Sequence, residues 1–143
     1  MNEVKSEGMN LAAEGMGTVA SRIFGVDERI RYVGIVDMEY RVLLSQMRSG
    51  LSSLTDNEKD RHFLSIVPRI MIEGAEKLEP DSGQLEFVTA RYKNLMVEMY
   101  RVGQHIVMVS FDPSVETPFS SSLSEQVERI FSEEVATLLH TDF

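Results

Sequence analysis

The sequence predicts an α+β fold: one five-stranded antiparallel sheet, strand order 2-1-5-4-3, with helices on both faces. Three observations carry that expectation. The periodic segments run helix, two strands, long helix, three strands, helix. Two strands far apart in the chain are apolar on both faces, so they belong side by side at the centre of a sheet covered above and below. The last three strands are joined by two-residue connections, which makes them an antiparallel meander.

The length of 143 residues fits one core. The expected organisation is a leader over residues 1–8 followed by a single α+β domain over 9–143. Leu11 to Phe24 places Ala12, Met16, Val19, Ala20 and Ile23 on one helical face. Gly15 and Gly17 each cost about 1 kcal/mol against alanine, so the dependable helix is expected only from Thr18 to Phe24, with Gly25 as its stop. Ile30 to Asp37 is a strand, with Ile30, Tyr32, Gly34 and Val36 on one face and Val33 and Ile35 on the other. Gly34 signals close approach by a neighbouring element. Asp37 to Tyr40 is a tight connection, and Arg41 to Met47 returns as the hairpin partner.

Thr55-Asp56-Asn57-Glu58 matches a capping box and opens a long helix to about Leu78, where Glu79-Pro80 ends it. Its expected apolar face is Phe63, Val67, Ile70, Met71, Gly74 and Leu78. Pro68 inside it removes one backbone bond and predicts a kink. Gln84 to Tyr92, Leu95 to Val102 and His105 to Phe111 are rich in β-branched and aromatic residues and read as strands. The last is apolar on both faces and central; the first alternates more and lies at an edge. Asp112 to Ser122, with two prolines, reads as a loop. Ser122-Leu123-Ser124-Glu125 is a second capping box, opening a final helix with Leu123, Val127, Ile130, Phe131, Val135 and Leu138 on one face.

Charge excludes some functions. The formal net charge is −9, concentrated at the two ends: residues 1–28 hold five acids against two bases, and residues 112–143 hold seven against one. The neutral middle has no Lys/Arg cluster of the kind that phosphate backbones require, so nucleic acid is not an expected partner. No apolar run approaches the roughly 20 residues that span a bilayer, and the acidic start has no signal-peptide core, so no membrane role and a cytoplasmic location are expected. There is no cysteine, hence no disulfide framework and no thiolate metal site.

Catalytic chemistry finds little footing. His62, His105 and His140 are too far apart in sequence to form a local ligand pair, so neither a metal nor a cofactor is assigned. The serines occupy caps and turns, and none lies in a Gly-x-Ser-x-Gly elbow. Two sets of side chains offer further chemistry. Arg29, Arg31, Arg41 and Arg48 could converge at one end of the hairpin to hold an acidic partner or a phosphate; the plainer reading pairs them with Asp37, Glu39 and the acidic last helix. Tyr32, Tyr92 and Tyr100 with Met96, Met99 and Met108 could line a small-ligand pocket; the plainer reading is core.

The element order resembles the roadblock/LC7 fold, with its longin and profilin-like relatives. It also resembles PAS and GAF sensors, which share the sheet order but place several short helices where this chain has one long helix. More narrowly, Ile30-Arg31-Tyr32-Val33-Gly34-Ile35-Val36-Asp37, Leu54 to Glu58 and Val107-Met108-Val109-Ser110 look like a family of small archaeal proteins. That resemblance, over about residues 29–111, implies a fold type and an archaeal cytoplasmic origin but no mechanism. The roadblock likeness implies a non-enzymatic, homodimeric interaction module, for which a small GTPase-type partner is eligible although no residue identifies one. The alternative is a PAS/GAF-like small-molecule sensor. For the dimer, the edge strand is the expected interface, with Glu86, Val88, Ala90 and Tyr92 on it and Arg69 on the long helix beside it. Two edge strands would pair about a two-fold axis, with Val88 supplying a donor to the open edge.

Overall fold

The computed structural model describes residues 13–39, 41–51, 57–113 and 117–141. The elements are α1 (Ala13–Phe24), β1 (Ile30–Asp37), β2 (Val42–Met47), α2 (Asn57–Glu76), a single turn α3 (Glu79–Ser82), β3 (Val88–Tyr92), β4 (Leu95–Val102), β5 (His105–Phe111) and α4 (Thr117–Thr141). The five strands form one antiparallel sheet in the order β2-β1-β5-β4-β3, as the patterning predicts. The expected leader and the capping residue Thr55 lie outside the described residues.

Two apolar layers sandwich the sheet. On one side α1 and α4 bury Val19, Ile23, Leu123, Val127 and Phe131 against Val33, Ile35, Val107 and Val109. On the other, among the described residues, α2 packs Leu64 and Ile72 against Tyr32, Val36, Ile106 and Met108. The seven residues of β5 are all buried, which fits its apolar character on both faces. Arg22 adds a polar tie between α1 and α4, donating to Glu133 at 2.6 Å and Glu134 at 2.9 Å.

Several local expectations need correction. Helix α1 begins at Ala13 and runs through both glycines. Burial of Met16, Val19, Ala20 and Ile23 outweighs the glycine cost. Helix α4 begins at Thr117, so Ser122 lies inside it and caps nothing. Pro118 falls in the first turn, where its missing N–H has no intrahelical partner to lose. Ile30 belongs to the α1/α4 layer with Val33 and Ile35, not with Tyr32. The β1–β5 register slips between Ile30 and Tyr32. The extra residue, Arg31, inverts the alternation on either side of it.

The long helix differs most from expectation. It is one helix through Pro68, as expected, and ends at Glu76. Its buried stripe is Leu64, Pro68 and Ile72, with Phe63 and Met71 half-buried beside it. Ile70 and Leu78, expected inside, are 58% and 64% exposed, and Gly74 is exposed too. The cause lies on β1. A Cβ built on Gly34 would stand 2.8 Å from both Leu64 methyl carbons and 3.0 Å from the Tyr32 hydroxyl. The bare glycine is therefore a seat for Leu64, and that seat fixes the rotation of α2.

Gly34→Ala should destabilise the fold by about 1–3 kcal/mol through overpacking, and Leu64→Ala by about 2–5 kcal/mol through a cavity. Denaturant unfolding of the pair should show the double variant less destabilised than the sum, because Leu64→Ala removes the atoms that the new methyl would strike. Strict additivity would mean the two residues do not share a site.

Candidate interaction surface

Strand β3 is the sheet edge, and its outward groups follow from its register. Tyr92 pairs with Leu95 across the two-residue Lys93-Asn94 turn, and Ala90 with Val97, Val88 with Met99. The pair flanking a two-residue turn exchanges both ladder bonds, and alternate pairs repeat this. Val88, Ala90 and Tyr92 therefore direct their backbone groups to β4. Thr89 and Arg91 direct theirs to the open edge. This corrects the expectation that Val88 supplies the free donor.

Strand β3 is also shorter than expected, and Glu86 precedes it. The chain before Val88 is held off the ladder from both sides. The Glu79 carboxylate accepts from the Leu85 N–H at 2.8 Å, and the Ser124 hydroxyl donates to the Glu86 carbonyl at 3.2 Å. Phe87 meets the Tyr100 ring edge-on, centroids 6.4 Å apart.

The side chains of Val88 and Ala90 belong to the α2 layer. Tyr92 shares their alternation and is 49% exposed. On α2 the second apolar stripe, Ile66 and Ile70, faces away from the sheet core, and Leu78 is exposed just past the helix end. Arg69 sits between those isoleucines and donates to Glu73 one turn on. So the predicted residues Val88, Ala90, Tyr92 and Arg69 fall on the α2 side of the molecule, whereas Glu86 lies in the tethered segment before β3. Pattern reasoning missed Ile66 and misplaced Ile70, because both stripes of α2 carry apolar residues.

The arginines do not form one cluster: Arg29 and Arg48 both engage Asp27, whereas Arg41 lies beyond the far end of β1. Arg29 pairs with Asp27 at 2.8 Å, and its side-chain hydrogen bond brings the Asp27 carboxyl down to about 2. Arg41, beyond the β1–β2 turn, pairs with Asp37 and Glu39. Burial pushes Asp37 up, but N–H donation from Arg41 and Glu39 and the Arg41 guanidinium outweigh it, leaving the carboxyl below its ordinary range. Arg48 donates at 2.7 Å to the carbonyls of Ile30, Phe24 and Asp27. Its guanidinium lies 5.1 Å from the Phe24 ring centre. It is a clasp for the α1–β1 junction. The acidic last helix instead engages Arg22.

The aromatic and methionine set does not converge either. Tyr100 and Met96 lie in the α1/α4 layer, whereas Tyr32, Met99 and Met108 lie in the α2 layer, and Tyr92 is at the edge. The Tyr100 hydroxyl donates to buried Glu98, and burial drives that phenol far above its ordinary range. An open groove of about 580 Å³ between α1 and β2 is lined by Gly17, Thr18, Ser21, Arg22 and Gln46. Among the described residues no His/Cys/Asp/Glu group could hold a metal ion, and no helix is long and apolar enough to cross a membrane.

Comparison with solved structures identifies the architecture as a roadblock/LC7-type fold. Myxococcus xanthus MglB superposes with a TM-score of 0.65 at 14% identity, over 90% of this chain and 93% of that one. A roadblock/LC7 domain from Streptomyces avermitilis gives 0.62 at 8% identity, covering 83% and 93%. The gliding protein MglB of Thermus thermophilus gives 0.61 at 12%, covering 84% and 90%. At these identities the likeness is one of fold. No family model and no curated protein matches the sequence.

Arg48→Met should keep the contact with Phe24 while stripping the donors from three carbonyls. Denaturant unfolding should show a loss of about 2–3 kcal/mol, with no change in oligomeric state by light scattering, since Arg48 lies away from β3. A loss within about 0.5 kcal/mol, the range of an ordinary surface change, would remove the clasp from the account.

Proposed function

We propose that the chain is a non-enzymatic, homodimeric protein-interaction module that docks another protein in the cytoplasm, a small GTPase-type protein being the partner class that the roadblock resemblance favours. The narrower likeness to archaeal proteins makes an archaeal source part of the same proposal. One observation carries the reading: exposed Ile66, Ile70 and Tyr92 share one side of the molecule with an edge strand whose outward backbone groups, Thr89 and Arg91, face no strand among the described residues. Apolar surface beside an open edge is what association covers.

A second copy is the occupant that symmetry favours. Antiparallel pairing of two β3 strands about a two-fold axis matches each outward donor to an identical acceptor and extends the sheet to ten strands. The same axis would set the two α2 helices side by side, with exposed Ile70 available to the shared surface. An MglB structure of this fold has a tetrameric arrangement, a precedent for self-association. The non-enzymatic reading rests on where the polar side chains go. Arg22, Arg29, Arg41, Arg48, Asp27 and Asp37 are taken up in internal ties.

Light scattering should give about twice the chain mass of 16.2 kDa at tens of micromolar. Ile70→Glu, which buries a charge in the shared surface, and Thr89→Pro, which removes an outward donor while sparing the ladder to β4, should each shift the folded protein to monomer. A monomeric wild type, or a dimer indifferent to both substitutions, would overturn the assembly.

A further inference from the structure

His105 opens β5 on the α1/α4 side of the sheet and is only 2% exposed. Its ring lies 4.9 Å from the Phe131 ring of α4, tilted by 42°. Its Nε2 is buried and has no hydrogen-bond partner among the described residues. A neutral imidazole tolerates this, because a bare ring nitrogen is an acceptor left idle. An imidazolium does not, because it brings a second N–H and a charge beneath an apolar helix.

The neighbours offer the charge little relief. Asp37 stands opposite His105 across the β1–β5 ladder. Its Oδ1 already accepts from the Glu39 and Arg41 N–H groups, at 2.8 and 3.0 Å, and its Oδ2 from the Arg41 guanidinium at 2.6 Å. The cross-strand neighbour on β4 is Val102. Glu98, farther along β4, holds the Tyr100 hydroxyl. From α4 the contact is Phe131; Glu133 and Glu134 turn to Arg22 of α1, and Glu128 is exposed.

We propose that His105 is a pH-sensitive latch, whose protonation below neutral pH loosens α4 from the sheet. Burial pulls the His105 pKa down and the Asp37 charge offsets this only in part. The opened state therefore binds the proton more readily than the closed one. The helix is fully held above the free histidine value of about 6.5, and its hold is lost as pH falls from there towards the lower closed-state value. Within that window one-proton linkage raises the opened population by up to about tenfold per pH unit. The Arg22 tie does not obscure the effect, because its hydrogen bond holds the Glu133 carboxyl below the usual range, so that the pair stays charged throughout the window.

The test is hydrogen exchange of α4 in the full-length protein at pH 7.5, 6.5 and 5.5, corrected for the chemical exchange rate. Variants are His105→Phe and, as control, His62→Gln, which alters an exposed α2 histidine. The wild type and His62→Gln should open α4 roughly tenfold more per pH unit below about 6.5, and His105→Phe should not respond. An NMR titration of the wild-type imidazoles should place His105 below 6.5, and decides the matter alone if His105→Phe does not fold. An unchanged response in His105→Phe, or a His105 midpoint at or above 6.5, would overturn the latch.

Discussion

The contact between Leu64 and the bare backbone of Gly34 decides which way the long helix faces, and much of the outer surface follows from it. Helix α2 carries two apolar stripes. With Leu64 seated on β1, the stripe through Pro68 and Ile72 goes inward and Ile66 and Ile70 go outward. A helix turned by about one residue would centre its buried face on Val67 and Gly74, and the molecule would present a different face.

The two sides of the sheet are covered unequally. Because β1 and β5 are apolar on both faces, both sides need helices. On the α1/α4 side two helices share the task, tied by Arg22, and the central strands are sealed. On the α2 side one helix crosses the sheet among the described residues. Val88 and Ala90 there are half-buried and Tyr92 half-exposed. The under-covered side and the open edge coincide at β3, which is why the proposed docking surface lies there. The sealed side instead encloses the titratable groups His105 and Glu98, so a change of protonation would be felt beneath α4.

Much of this was legible in the sequence. The strand order came from residues that alternate or fail to alternate, and the antiparallel meander of β3, β4 and β5 from two-residue turns. Gly34 was readable as a point of close approach, although not the element that approaches. The missed features share a physical cause, dependence on partners distant in sequence or on backbone atoms. The rotation of α2 depends on Gly34. The side taken by Ile30 depends on a bulge at Arg31 that only pairing with β5 reveals. The role of Arg48 depends on three carbonyls, which have no sequence signature. The start of α1 depends on burial against α4, which overrides two glycines. At the interaction surface, Tyr92 and the edge were legible from pattern, whereas the identity of the outward donors required the register.

In the proposed dimer the β3 edge of one chain is covered by another. Amide exchange at Thr89 and Arg91, whose N–H groups point away from β4, measures this directly. Protection at these two positions should rise with protein concentration. Exchange at the rate of open chain, unchanged as concentration rises, would contradict it.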